Sequence, residues 1–144
     1  MTANYGEKFL ENADYVVGSP TAFADQELLN RLINTSLKFN RSIFVPCGAF
    51  WGASDIKKMS TKNTLKGLKI TMKKHPHSLV LNGCLKEKLD THVFTSEPFT
   101  LYEGPVRNLC HLAPNNVNTM AVGALVAQNL GFDGVMACLV ADPK

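Results

Sequence analysis

The sequence predicts an α/β fold, and three observations predict it. Over the first 46 residues, two short apolar runs bracket a stretch of helical periodicity. Further on, Leu68, Ile70 and Met72 alternate with Lys69, Thr71 and Lys73, the two-residue period of a strand with one wet face. A strongly apolar run from Phe132 to Ala141 then reads as a last strand.

The elements follow in order. Ala13 to Gly18 is a buried strand closed by Gly18-Ser19-Pro20. From Ala24 to Lys38, Leu28, Leu29, Leu32, Ile33 and Leu37 recur at helical spacing with polar residues between them. Ser42 to Pro46 is a second apolar run with β-branched content. Strand, helix and strand at this spacing imply a right-handed parallel crossover, whose sheet needs covering on both faces.

Pro46-Cys47-Gly48-Ala49-Phe50-Trp51-Gly52 is a tight apolar connector in which glycines bracket bulky aromatics. A short helix from Ser54 to Met59 is expected next, with Ser54 as its cap. Lys66 to His75 is the alternating strand. Ser78 to Gly83 reads as a strand or an extended loop, and Cys84 to Glu97 yields no assignment. Phe99 to Glu103 reads as a strand ended by Gly104-Pro105. Pro114-Asn115-Asn116 introduces a largely buried helix from Val117 to Asn129, with Gly131 as its stop.

At 144 residues, with 45% apolar and 19% charged side chains, the chain suits one domain or parts of two. Its formal charge of +3 comes mainly from the lysines between Lys57 and Lys74. A dedicated nucleic-acid binder carries a denser basic face, so nucleic acid is excluded as the main partner. Cys47, Cys84, Cys110 and Cys138 lack zinc-site spacing and give no reason to invoke an oxidising compartment. No signal-peptide core and no run of ~20 apolar residues is present, so the expectation is a soluble, cytoplasmic protein without a membrane partner.

Several residues could carry chemistry. The connector around Ala49 is either a hinge with Phe50 and Trp51 packed inside, or a turn that brings backbone against a flat ring beyond the carboxyl end of a strand. Asn115, Asn116 and Asn118 surround a helix start; one can cap it, and the others can face an anionic or carbonyl group. Glu103 and Arg107 can pair with each other; alternatively Arg107, Lys69 or Lys73 can hold a substrate carboxylate. Cys47 has no base or orienting partner visible beside it. His75 and His77 form an H-x-H pair interrupted by Pro76, which suits an exposed turn better than a metal site. No G-x-G-x-x-G loop occurs: Gly48, Gly52 and Gly67 do not have that spacing.

Ordered blocks along nearly the whole chain resemble the aspartate dehydrogenase family. They are Ala13-Asp14-Tyr15-Val16-Val17-Gly18-Ser19-Pro20, Phe44 to Gly52, Lys69-Ile70-Thr71-Met72 with His75-Pro76, and Leu101 to Arg107. Ala113-Pro114 through Asn118-Thr119-Met120-Ala121, Leu130 to Asp133, and Leu139-Val140-Ala141-Asp142 complete the set.

The resemblance implies the remnant of a Rossmann-like parallel sheet, residues 1–46, joined to part of an α/β catalytic domain with a mixed sheet, residues 47–144. It implies an oxidoreductase that converts L-aspartate to iminoaspartate, hence oxaloacetate and ammonia, with NAD or NADP, and that commonly forms dimers. Ala49 matches a cofactor-contacting alanine. Asn118, with Asn116 as the alternative, matches an asparagine near the nicotinamide, and Arg107 is the candidate for the substrate carboxylate. In the family a glycine fingerprint precedes the block at Ala13, and a catalytic histidine follows the Ala-Asp-Pro segment. His75, His77, His92 and His111 do not occupy that place. The expectation is therefore a chain inactive or weak by itself. The alternatives are a non-catalytic binding or regulatory partner of a full-length relative, or an incomplete gene product.

Overall fold

The computed structural model describes residues 1–48, 50–92 and 96–144. Its first half runs α1 (Thr2–Asn12), β1 (Tyr15–Val16), a 3-10 turn (Pro20–Ala24), α2 (Gln26–Phe39) and β2 (Ile43–Phe44). β1 and β2 pair in parallel, Tyr15 with Ile43 and Val16 with Phe44. The expected crossover is present, with shorter strands than the apolar runs suggest. Among the described residues they pair only with each other, so the ladder ends where the two strands diverge.

α2 begins two residues later than the periodicity predicts, because Pro20–Ala24 takes the tighter 3-10 path. The Asp25 carboxylate caps it, accepting from the Leu28 N–H at 3.1 Å. Asn40, left-handed at φ 51°, ends it. The sequence reading assigns nothing to α1, which buries Thr2, Gly6 and Leu10. A Cβ on Gly6 would lie 2.8 Å from Leu32 Cδ2, so the glycine is what lets α1 lie against α2. Of the buried residues of α1 only Leu10 is a large apolar side chain, so the stripe is too short to read.

The second half runs α3 (Ala53–Thr61), β3 (Leu68–Lys74), a 3-10 turn (Pro76–Ser78), α4 (Gly83–Thr91), β4 (Phe99–Pro105), α5 (Val106–Cys110), α6 (Asn118–Val126), α7 (Gly131–Gly134) and β5 (Val135–Ala141). The sheet order is β3-β5-β4. β5 lies parallel to β3, from Leu68 opposite Val135 to Lys74 opposite Ala141. It lies antiparallel to β4, with an irregularity between Thr100 and Tyr102. The sheet is thus mixed, as the family resemblance implies. β5 is buried at every position except Met136, whereas β3 alternates half-buried and exposed residues.

Four local expectations need correcting. Gly52, left-handed at φ 78°, occupies the position before α3, and Ser54 makes no capping hydrogen bond. α6 stops at Val126, short of Asn129. There the Asn129 N–H donates to Ser60 Oγ at 3.0 Å and Asn129 Nδ2 donates to the Leu65 carbonyl at 2.8 Å, tying this segment to the region after α3. Gly131, left-handed at φ 62°, opens α7, which takes Phe132 out of the strand. Of the two readings of residues 78–83 the loop holds for 79–82, but Ser78 ends a 3-10 turn and Gly83 opens α4, which fills part of the stretch without an assignment. α4 buries only Leu85, so its sequence carries little periodicity.

One core joins the two sheets: Phe23, Leu28 and Leu32 belong to the same cluster as Val106, Leu109, Met120 and Leu139. Burying several side chains of this size supplies most of the stabilisation, at ~1.5–3 kcal/mol each.

Candidate functional site

In open α/β sheets, ligands bind beyond the carboxyl ends of parallel strands. β1 leaves its sheet into Gly18-Ser19, and β2 leaves into the connector. The amino end of α6 comes up to the first of these loops. Ser19 Oγ lies 3.2 Å from the Asn118 side-chain amide and 3.2 Å from Thr21 Oγ1, and Thr21 Oγ1 donates to the Pro114 carbonyl at 3.1 Å. Thr21 is buried and Asn118 half-buried. Neither Ser19 nor Thr21 was singled out from the sequence. Their position directly after β1 was the available signal, although that strand is not buried as expected: Tyr15 is half-buried and Val16 60% exposed.

The connector also reaches α6. A Cβ on Gly123 would lie 2.3 Å from Ile70 Cδ1 and 3.4 Å from Phe50 Cζ, so the helix rests against both β3 and Phe50 because Gly123 has no side chain. Gly48 and Gly52 hold left-handed conformations on either side of the turn. Trp51 is 91% exposed and Phe50 half-buried, so the expectation that both aromatics pack inside is not met for Trp51. Ala49 lies outside the described residues.

The asparagines divide their work. No side chain caps α6; Val117 occupies the cap position, which corrects the capping expectation. Asn116, only 6% exposed, accepts from the Val80 N–H at 2.9 Å through Oδ1 and donates to the Ser78 carbonyl at 3.1 Å through Nδ2. Its amide therefore ties the chain after β3 to the approach to α6. Asn118 spends only one end of its amide, on Ser19.

Arg107 is a clamp. Its Nε and Nη2 donate to Asp133 Oδ1 and Oδ2 at 2.6 and 2.9 Å, and its Nη1 donates to the Ala24 carbonyl. It joins α5, α7 and the 3-10 turn of the first half. The hydrogen bonds from Arg107 hold the Asp133 carboxyl below the usual aspartate range, and those to Asp133 raise the guanidinium. Glu103 pairs with Lys69 Nζ at 2.5 Å rather than with Arg107, and this raises the Lys69 ammonium. Lys73 Nζ lies 4.0 Å from Asp142.

A cavity of about 590 Å³ opens beside these groups, with Ser19, Thr21, Asp25, Arg107, Cys110 and His111 among its walls. Burial pushes the Cys110 thiol up to about 12, so it is no thiolate nucleophile at neutral pH. His75 and His77 sit at the 3-10 turn after β3 with ring centroids 5.1 Å apart. Among the described residues no three His, Cys, Asp or Glu side chains are placed to hold a metal ion. No described helix is long and apolar enough to cross a membrane.

Comparison with known proteins bears directly on this arrangement. The family described as "Aspartate dehydrogenase, C-terminal" matches residues 55–144. An "Aspartate dehydrogenase domain-containing protein" of Xenopus tropicalis is 52% identical over 144 residues, covering 100% of this chain and 50% of the relative. One of Danio rerio is 43% identical over 142 residues, covering 99% and 50%. An "L-aspartate dehydrogenase" of Thermotoga maritima is 30% identical over 140 residues, covering 96% and 51%. The crystal structure of aspartate dehydrogenase from Thermotoga maritima superposes with a TM-score of 0.77 at 24% identity, covering 99% of this chain and 54% of that one. That likeness establishes the α/β fold with its parallel and mixed sheets. The chain spans about half the length of the curated relatives it matches. With its family match over residues 55–144 and its fold in common, the chain belongs to the aspartate dehydrogenase family.

Proposed function

We propose that this chain carries the nicotinamide-facing part of an NAD- or NADP-dependent dehydrogenase acting on L-aspartate, and that by itself it turns over weakly or not at all. The observation that carries the reading is the junction of Ser19, at the carboxyl end of β1, with Asn118, at the amino end of α6. A half-buried amide with one end open, placed where parallel strands finish, suits the carboxamide of a nicotinamide ring. When bound, that ring supplies the hydride acceptor.

The fit extends to the nicotinamide end only. Within these 144 residues no glycine loop is available to cradle a pyrophosphate. Asn118 takes the cofactor role in preference to Asn116, whose amide is spent on Ser78 and Val80. Ala49 joins the reading as a cofactor contact on the family resemblance alone. Arg107 can grip a substrate carboxylate only by exchanging Asp133 for it, since that pair already occupies its bidentate edge.

Purified chain should be titrated with NADH and NADPH and assayed for aspartate-dependent reduction of NAD+ and NADP+. Saturable binding with little or no turnover is the expected result. Clear turnover overturns the claim of weak activity, and absence of binding overturns the cofactor assignment.

A further inference from the structure

We propose that Ser19 and Thr21 are positioning residues that turn the Asn118 amide so that its carbonyl oxygen, not its NH2 group, is offered to the ligand. The inference deepens the nicotinamide reading above and rests on it for the identity of the ligand.

The argument is a count of protons. Pro114 contributes a carbonyl oxygen, which only accepts, so the single proton of the Thr21 hydroxyl goes to it across 3.1 Å. Thr21 Oγ1 then has only lone pairs left for its 3.2 Å contact with Ser19, so the Ser19 hydroxyl donates there. The 3.2 Å contact is drawn with Asn118 Oδ1 facing Ser19 Oγ, yet Ser19 has only lone pairs left for it, so the amide must be turned over. The group that satisfies it is Nδ2–H. The two ends of a side-chain amide have nearly the same shape, so the hydrogen-bond network decides which end faces which neighbour.

The relay thus runs from Asn118 Nδ2 to Ser19, from Ser19 to Thr21, and from Thr21 to the Pro114 carbonyl. It makes three hydrogen bonds from one proton apiece. The opposite amide orientation makes only two, and it sets two oxygens 3.2 Å apart with no proton between them. Thr21 is 7% exposed, so little of its hydroxyl is open to water as an alternative partner. The relay leaves Asn118 Oδ1 as an acceptor with no protein partner. Such an acceptor selects a ligand with an N–H donor, such as a carboxamide, over one presenting a carboxylate at the same place.

Two measurements test this separately. The first needs no ligand: the Asn118 NH2 resonances, assigned by their loss in Asn118→Asp, are followed by NMR. The relay predicts one proton shifted downfield and slow to exchange, with the shift lost in Ser19→Ala, and in Thr21→Val should the first variant fold poorly. Thr21→Ser should restore it. Two solvent-like protons that neither variant moves overturn the proposal.

The second measurement compares nicotinamide mononucleotide with nicotinic acid mononucleotide. Wild-type chain is expected to prefer the amide by roughly tenfold, a preference falling to about two- to threefold in Thr21→Val and recovered in Thr21→Ser. A preference unchanged in Thr21→Val overturns the proposal. Binding of neither probe, with the NMR signature intact, sinks the nicotinamide reading and leaves the relay standing.

Discussion

Replacing Asn116 separates a structural amide from a ligand-binding one. The native side chain makes two hydrogen bonds to backbone, one from the Val80 N–H and one to the Ser78 carbonyl. Each is worth about 1 kcal/mol net, and a freed group that stays dry costs a further ~1–3 kcal/mol. Val80 is 60% exposed, so water can reach its N–H and only part of that extra penalty applies. Asn116→Ala should therefore cost about 2–3 kcal/mol, a fall in Tm of roughly 5–10 °C for a chain of this size. Asn116→Asp should cost a similar amount, since its carboxylate keeps the bond from Val80 but faces the Ser78 carbonyl with no proton to give. Urea and thermal unfolding followed by circular dichroism would measure both. Unfolding midpoints unmoved in both variants, together with loss of NADH binding, would refute the structural role and return Asn116 to the ligand.

Gly123→Ala should destabilise the chain by up to about 2 kcal/mol, because the clash with Ile70 Cδ1 outweighs the gain in helix propensity; Ile70→Val, which removes that methyl, should recover most of the loss, as unfolding of the single and double variants would measure. The depressed Asp133 carboxyl has a stability consequence with a definite sign. The folded chain holds this proton more weakly than the unfolded chain, so the contribution is present above the ordinary aspartate range and is lost as pH falls through the lowered folded value. Asp133→Asn should flatten that acid limb in unfolding measured between neutral and acid pH. Iodoacetamide should label exposed Cys47 and Cys84 in the folded chain and reach buried Cys110 and Cys138 only in urea, a pattern peptide mass spectrometry can read.

Periodicity revealed the elements that bury an apolar face against a wet one. α2 and β3 were legible for that reason, and β5 because it is apolar throughout. α1 was not legible because its buried positions are Thr2, Gly6 and Leu10, of which only Leu10 carries apolar bulk, while Gly6 serves by letting Leu32 come close. α6 was placed but overextended, since the apolar composition continues past the point where Ser60 and Leu65 capture Asn129. In the candidate site, Asn118 was visible through the asparagine cluster. Ser19 and Thr21 were not, because their importance comes from partners 99 and 93 residues away. Nor could spacing foretell that Arg107 would meet Asp133 while Glu103 met Lys69.

The strand order also sets a schedule for synthesis. β3 and β4 are the outer strands of the mixed sheet and, among the described residues, form ladders only with β5, which follows both of them in the sequence. A chain emerging from the ribosome therefore carries two unmated strand edges until Val135–Ala141 is exposed, and then closes both ladders through one segment. A pause in translation just before β5 prolongs that interval, and unpaired strand edges are templates for aggregation.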